Sequence, residues 1–283
     1  MRRATGRNRA SAVAGALAAG LAWLLPAVLP SGVRAQQQAP RNECVACHGR
    51  QSGTSGPGHG FEAWRTSPHA AASVTCDACH GGDPAATDTA AAHRGITPSS
   101  DQGSPLFFTR IPNTCGRCHA AELAYFRTSL HYARLETDGR GPNCVTCHGS
   151  MATRVLTPER LLGTCTACHV DGGIAPPDKA READRVLALV RAENILYDVV
   201  ATDATARRGT RGGARASMLL GDAQRHLHAA AEVWHSFRLD SAAARLAEAR
   251  LTIVEAWEAL GHPAPREGMA GATRAPRGGR ESP

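Results

Sequence analysis

The chain has 283 residues, a length for one or two domains, and it holds 10 Cys but only 5 Phe, 4 Trp and 3 Tyr. So few aromatics leave an ordinary large side-chain core short of filling. Five of its 32 basic residues (Arg2, Arg3, Arg7, Arg9 and Arg34) lie in the first 35, which leaves 27 basic against 25 acidic residues beyond them, so the formal charge of +7 is no nucleic-acid footprint.

Residues 1–35 read as an export signal. Four of those arginines form a positive n-region, an apolar stretch runs from Ala12 to Leu29, and Val33-Arg34-Ala35 places cleavage before Gln36. The alternative is a retained membrane anchor, because about 18 apolar residues is near the lower limit for a span. Pro26 and Pro30 favour cleavage, and membrane contact is expected only if the segment is retained.

All ten cysteines fall in five copies of Cys-x-x-Cys-His: Cys44 and Cys47 with His48, Cys76 and Cys79 with His80, Cys115 and Cys118 with His119, Cys144 and Cys147 with His148, and Cys165 and Cys168 with His169. Two thiols three positions apart reach the two vinyl groups of a porphyrin, and the next residue supplies an imidazole to its iron. Zinc ribbons and disulfides also use cysteine pairs, but neither requires His after every pair. Composition alone gives on the order of 0.02 such pentapeptides in a chain this long, against five present. The expected cofactors are five covalently bound haem c groups, each held by the two cysteines of one motif, with His48, His80, His119, His148 and His169 as proximal ligands. They crowd into the 126 residues from Cys44 to His169, so porphyrin faces take the place of aromatic side chains and thioether bonds staple the chain. Two propionates per haem make the holoprotein acidic, which excludes nucleic acid as a partner.

An internal repeat nominates distal ligands. Phe61-Glu-Ala-Trp64-Arg65-Thr66-Ser67-Pro68-His69 is echoed by Tyr125-Phe126-Arg127-Thr128-Ser129-Leu130-His131. Both copies sit between two attachment motifs, so residues 44–80 and 115–148 read as duplicated two-haem units. The shared Arg-Thr-Ser-x-His predicts a short helix or turn that presents His69 and His131 to neighbouring haems.

The runs Ser67-Pro-His69-Ala, Val74-Thr-Cys76-Asp-Ala-Cys79-His80-Gly-Gly-Asp83-Pro84 and Ala92-His93-Arg-Gly95 resemble the multihaem cytochrome c superfamily over roughly residues 42–170. That superfamily includes periplasmic electron-transfer cytochromes, membrane-anchored quinol dehydrogenases and pentahaem nitrite reductases. The resemblance supports His69 and His131 as distal ligands and adds His93.

Residues 176–262 are Ala-, Leu-, Arg- and Glu-rich and lack cysteine. Pro176-Pro177-Asp178 opens a helix to about Val200, Asp203 to Arg215 reads as a loop, and a second helix follows from about Ala216 to Phe237. A third runs from an Asp240-Ser241 cap to Leu260, closed by Gly261. The resembled group suggests a His-x-Phe step here, His235-Ser236-Phe237, which makes His235 a distal candidate with His228 as fallback. His59, between two glycines, is the remaining candidate for a fifth distal ligand, whereas His262 reads as surface and 263–283 as a disordered tail. The expected fold is mainly α: a haem-packed, irregular domain over 36–175 with short helices and little or no sheet, then an antiparallel helical hairpin or bundle.

Three function classes compete. With two imidazoles on every iron the chain is an electron carrier between redox proteins, such as a quinol dehydrogenase and a periplasmic or outer-membrane reductase. With one open haem it is a reductase of nitrite, hydroxylamine or a sulfur oxyanion, and with a retained anchor a quinol-oxidising cytochrome. The resembled nitrite reductases put Lys in the motif of the catalytic haem, whereas all five motifs here end in His and Lys179 is the sole lysine. No paired-acid or Ser/His constellation appears elsewhere, so no catalytic residue is nominated.

Overall fold

From residue 42 to 169 the chain is broken every few residues by Gly, Pro or an attachment motif, which limits any helix to two or three turns. The computed structural model describes residues 42–50, 59–151 and 158–264, all within the compact unit Pro40–Pro283. The export segment 1–35 and the tail beyond 264 lie outside the described residues. Ten short helices fill the first part: α1 (Glu43–His48), α2 (Phe61–Arg65), α3 (Pro68–Ala71), α4 (Asp77–His80), α5 (Thr89–Ala92), α6 (Ile111–Cys115), α7 (Ala120–Phe126), α8 (Leu130–Asp138), α9 (Cys144–His148) and α10 (Pro158–Thr166). Three long ones complete it: α11 (Asp178–Ala206), α12 (Arg211–Trp234) and α13 (Leu239–Ala259). The described residues contain no strand, as the expected fold class requires.

The two parts bury different things. Among the described residues the buried apolar side chains before residue 180 are Pro112, Phe126 and Leu135. The others lie on α11–α13 or at Leu260, most of them in two clusters built around Val200, Ala216, Leu220 and Ile253, and around Val186, Val233, Leu239 and Leu246. Alanines fill much of both clusters, which lets the helix backbones approach closely. The connections at 207–210 and 235–238 are short, so consecutive helices run antiparallel. Inside the bundle the buried Glu193 carboxylate on α11 accepts from Arg250 on α13 at 3.1 Å.

The loop expected over Asp203–Arg215 shrinks to four residues, because α11 continues to Ala206 and α12 starts at Arg211. The glycines that suggested a loop serve close approach instead. Gly213 is buried in the first turn of α12, where its N–H donates to the Thr210 cap at 3.0 Å and a Cβ would fall on the Arg207 carbonyl oxygen. Arg207 in turn donates to Leu260 O at 2.9 Å, closing the C-terminal end of α13. That end is followed by Gly261 with φ 86°, the residue expected to stop the helix. The cap of α13 is Arg238, two residues before the expected Asp240, and it makes no side-chain cap bond.

Helix propensity favours Ala over Gly by about 1 kcal/mol, and two of the three glycines of α12, Gly213 and Gly221, should respond oppositely. Gly221→Ala, with no neighbouring atom within 4 Å of the new methyl, should stabilise the protein by about 0.5–1 kcal/mol. Gly213→Ala should destabilise it by roughly 1–3 kcal/mol through the backbone clash. Chemical denaturation followed by far-UV circular dichroism reads both, and a stabilised Gly213→Ala would contradict this account of the turn.

Candidate functional site

Each attachment motif forms a single helical turn. The backbone N–H of His80, His119 and His169 donates to the carbonyl of the first cysteine of its own motif at 2.9, 3.0 and 3.0 Å. Residues i, i+3 and i+4 of that turn share one face, so both thiols and the imidazole point the same way. Successive turns are tied together. Asn42 caps α1 and donates to Asp77 Oδ1 at 2.9 Å, joining the first motif to the second. Arg117, inside the third motif, donates to Ala78 O of the second at 2.6 Å. Asn143 is buried with its bonding capacity used: its Oδ1 caps α9, and its Nδ2 donates to Phe108 O at 2.8 Å, ahead of the third motif.

The thiols follow the same order. Cys115 of the third motif hydrogen-bonds to Cys144 of the fourth, which raises the Cys115 pKa and lowers that of Cys144. Burial, with Cys165 and Cys168 of the fifth motif nearby, pushes Cys147 up to about 11. Burial likewise raises Cys76 beside Cys44, and Cys79 beside Cys115 and Cys118. All ten thiols are free. A zinc site needs three or four of these side chains converging on one point, and among the described residues no such cluster exists.

The ten attachment cysteines are not equally covered. Cys47, Cys118 and Cys168 are exposed, and each is the second cysteine of its motif. The second cysteines of the other two motifs, Cys79 and Cys147, are covered because the following motif packs against them. Cys47 has a polar neighbour instead, Arg50, whose Nη2 donates to its Sγ at 3.5 Å. Within the helical turn of α1 Cys47 still shares a face with Cys44 and His48.

The histidines pair one to one. His48 faces His93 with ring centres 6.1 Å apart, His80 faces His59 at 5.9 Å, and His119 faces His69 at 6.3 Å. His148 faces His235 at 6.2 Å, and His169 faces His131 at 6.0 Å. Every motif histidine thus meets a different one of the five nominated partners. A metal–imidazole bond of about 2 Å on each side, with about 1.1 Å from each ligating nitrogen to its ring centre, sets two rings on opposite faces of one metal about 6.2 Å apart. All five observed spacings lie within 0.3 Å of that value. The residues present therefore fit haem, with two thiols and two imidazoles at each of five sites.

Local structure explains how the partner histidines are presented. His69 and His131 occupy the second position of α3 and α8, and the repeat's serine is the N-cap: Ser67 Oγ accepts Ala70 N–H at 3.3 Å and Ser129 Oγ accepts Tyr132 N–H at 3.1 Å. The repeat's threonines close the helices before them, Thr66 donating to Glu62 O and Thr128 to Tyr125 O. His93 and His235 stand at the opposite kind of end, the C-cap of α5 and of α12. Each donates Nδ1–H to the carbonyl four residues back, His93 to Thr89 at 2.8 Å and His235 to Ala231 at 2.9 Å. That bond fixes the tautomer and leaves Nε2 for a metal. Gly82 lets α5 approach the second motif: Asp83 N–H donates to Ala92 O at 3.0 Å, and a Cβ on Gly82 would lie 2.5 Å from that oxygen.

Burial, followed by the facing ring, holds the pKa of His69, His80, His131 and His148 below the usual imidazole range. The neutral imidazole is the form that binds a metal.

The three remaining histidines have carboxylate partners: His226 with Glu248 at 3.3 Å, His228 with Glu232 at 3.1 Å and His262 with Asp203 at 2.7 Å. His262, expected as plain surface, is half-buried and stacks on Trp257 with ring centres 3.8 Å apart. The sequence reading also missed Asn42, Asn143, Asp77 and Arg117. Only Asn143 carried a signal, with Thr146 three residues later as in a capping box.

A family model described as cytochrome c554 and c-prime matches residues 30–81, which contain the first two attachment motifs, His59 and His69. The match supports a c-type cytochrome, with covalently bound haem c and electron transfer as its business. No curated protein and no solved structure is significantly similar to the chain. Among the described residues no helix is long and apolar enough to cross a membrane.

The His262 contact predicts a pH dependence. His262 and then Arg207 hold the Asp203 carboxyl below its ordinary value of 3.8. A depressed folded pKa stabilises above the unfolded value, and that contribution is lost as pH falls through the folded one. Asp203→Asn should therefore be less stable than wild type near neutral pH, with the gap closing in acid. Thermal melts across pH read this; a gap that widens in acid would refute it.

Proposed function

We propose that the mature chain is a periplasmic pentahaem c-type cytochrome that relays electrons between redox proteins. Its irons would be held by His48 and His93, His80 and His59, His119 and His69, His148 and His235, and His169 and His131. The one-to-one pairing of all five motif histidines with five others, at 5.9–6.3 Å, carries this reading.

Haem supplies the one-electron chemistry; the residues decide what reaches the iron. Two imidazoles at each site leave no position for nitrite, hydroxylamine or a sulfur oxyanion. The three histidines left over are engaged with carboxylates on or beside the long helices rather than with an attachment motif. That accounting favours the carrier over the reductase. The order of the motifs in space supports a relay, because the thiols of each neighbour the thiols of the next from Cys44 to Cys168. A quinol dehydrogenase as donor and a periplasmic or outer-membrane reductase as acceptor suit such a row. Export rests on residues 1–35, and a mature N-terminus at Gln36 would separate this reading from the membrane-anchored one.

Ring orientation gives a spectroscopic test. Four pairs are steeply inclined, with interplanar angles of 66°, 59°, 64° and 67°, whereas His148 and His235 lie within 17° of parallel. Parallel imidazole planes split the iron d orbitals and give a rhombic low-spin signal; crossed planes leave them close in energy and give a strongly anisotropic one. A pyridine haemochrome assay should count five haems, and low-temperature EPR of the oxidised protein should show four anisotropic and one rhombic low-spin iron. His235→Ala should abolish the rhombic signal and add one high-spin iron, while His93→Ala should leave the rhombic signal intact. A stoichiometric high-spin haem that binds cyanide in the wild type would sink the carrier reading.

A further inference from the structure

His131 differs from the other candidate ligands in what lies behind it. At the second position of α8, the carbonyl four residues back belongs to Arg127, before the helix begins, so the self-anchoring of His93 and His235 is closed to it. Its Nδ1 is buried and has no hydrogen-bond partner; it is the sole imidazole nitrogen in that state among the described residues. What covers the ring is Phe237, with ring centres 4.2 Å apart and planes at 86°.

Phe237 reaches that place at a conformational cost. Its φ of 56° is left-handed, one of two such non-glycine residues described, and for a bulky side chain that backbone costs on the order of 1–3 kcal/mol. The turn between α12 and α13 enforces it. Ser236 is buried, donates Oγ–H to Val233 O at 2.7 Å and accepts Arg238 N–H at 3.2 Å, while Phe237 N–H donates to Trp234 O at 2.9 Å. On its far side Phe237 meets Phe126 edge-on, with ring centres 6.4 Å apart. Phe126 belongs to the same repeat copy that ends in His131.

We propose that Phe237 is a positioning residue for His131, an aromatic ring packed perpendicular to an imidazole whose buried Nδ1 lacks an acceptor, and that it raises the reduction potential of the iron shared by His131 and His169. The inference rests on the ligand pairing proposed above. An imidazole whose Nδ1–H donates to an oxygen is more basic and stabilises ferric iron, as expected for His93 and His235. An aromatic ring offers that hydrogen at most a weak acceptor and keeps water out, so the charge of the oxidised site is less well compensated. One turn, His235-Ser236-Phe237, thus serves two neighbouring sites in opposite ways. His235 is a self-anchored partner for His148, and Phe237 backs His131.

The test uses the five-haem holoprotein. Phe237→Asn suits a left-handed backbone and offers Nδ1 an oxygen; Phe237→Tyr keeps the ring. In a spectropotentiometric titration the Asn variant should lower one of five midpoint potentials and leave four unchanged, with the rhombic EPR signal of the His148–His235 site intact. The Tyr variant should restore the wild-type value. Five unchanged potentials in the Asn variant, with haem content still five, would overturn the role of Phe237 alone. If His131→Ala also leaves every iron low-spin, the ligand pairing itself fails and the inference falls with it. Loss of haem from the Asn variant but not from the Tyr variant would again tie the ring to the His131 site.

Discussion

A metal–imidazole bond is short and stiff, so two rings that share one iron must stand about 6 Å apart. Five histidine pairs meet that distance, four of them inside the stretch from residue 42 to 169 and the fifth between His148 and His235. No long helix could do so, because an extended rod carries its side chains away from any one point. Short helices place residues by their ends, where cap bonds fix direction within a single turn. Ser67 and Ser129 cap helices that offer a histidine at the second position, and α5 and α12 offer one at the C-cap. The motif histidine is held against its own cysteine pair by the intervening turn. The irregularity of this half is therefore the consequence of a tight geometric demand.

The same demand explains where the hydrophobic core is and is not. With Pro112, Phe126 and Leu135 the only buried apolar side chains before residue 180 among those described, side-chain burial alone supplies little of the driving force there. At about 25 cal/mol per Å² of apolar surface, one porphyrin face is worth several aliphatic side chains, and two thioether bonds per haem restrict the unfolded chain as disulfides do. The Ala-lined helices α11–α13 hold the conventional core. They also donate His235 and Phe237 to the irregular half, so the bundle is part of the site.

What the sequence disclosed depended on whether a signal was local. Cys-x-x-Cys-His is complete within five residues, and the Arg-Thr-Ser-x-His repeat carries its own cap, so the attachment motifs, His69 and His131 had local signals, whereas His93 and His235 were nominated through the resemblance and His59 through the inventory of histidines alone. The burial of each thiol was not legible, since Cys47 and Cys147 hold the same place in identical motifs and differ only in what the fold packs against them. Nor was the pairing, because His48 with His93 and His169 with His131 join residues 38 to 45 positions apart through a shared centre that leaves no trace in either segment. The loop expected at Asp203–Arg215 failed for a related reason. Gly212 and Gly213 look like chain breakers, but they are small because Ala259 and Arg207 carbonyls press on them, and that is tertiary information. His262 read as surface until Trp257 and Asp203, brought from the ends of two other helices, closed on it.

The end of the helix that offers a histidine also decides the chemistry behind its ring. At a C-cap the carbonyl four residues back is within reach of Nδ1, so His93 and His235 fix their tautomer and gain basicity from their own helices. At the second position of a helix no such carbonyl exists, and His131 takes its backing from elsewhere in the fold, an aromatic ring on a strained turn. Five sites with the same two cysteines and two imidazoles need not therefore hold electrons equally. A row of identical sites would carry charge in either direction with equal ease, whereas a row graded by what stands behind each imidazole has a slope. Under the proposed pairing, secondary structure would set part of that slope, because the helix end that offers His69, His93, His131 or His235 decides what lies behind its ring.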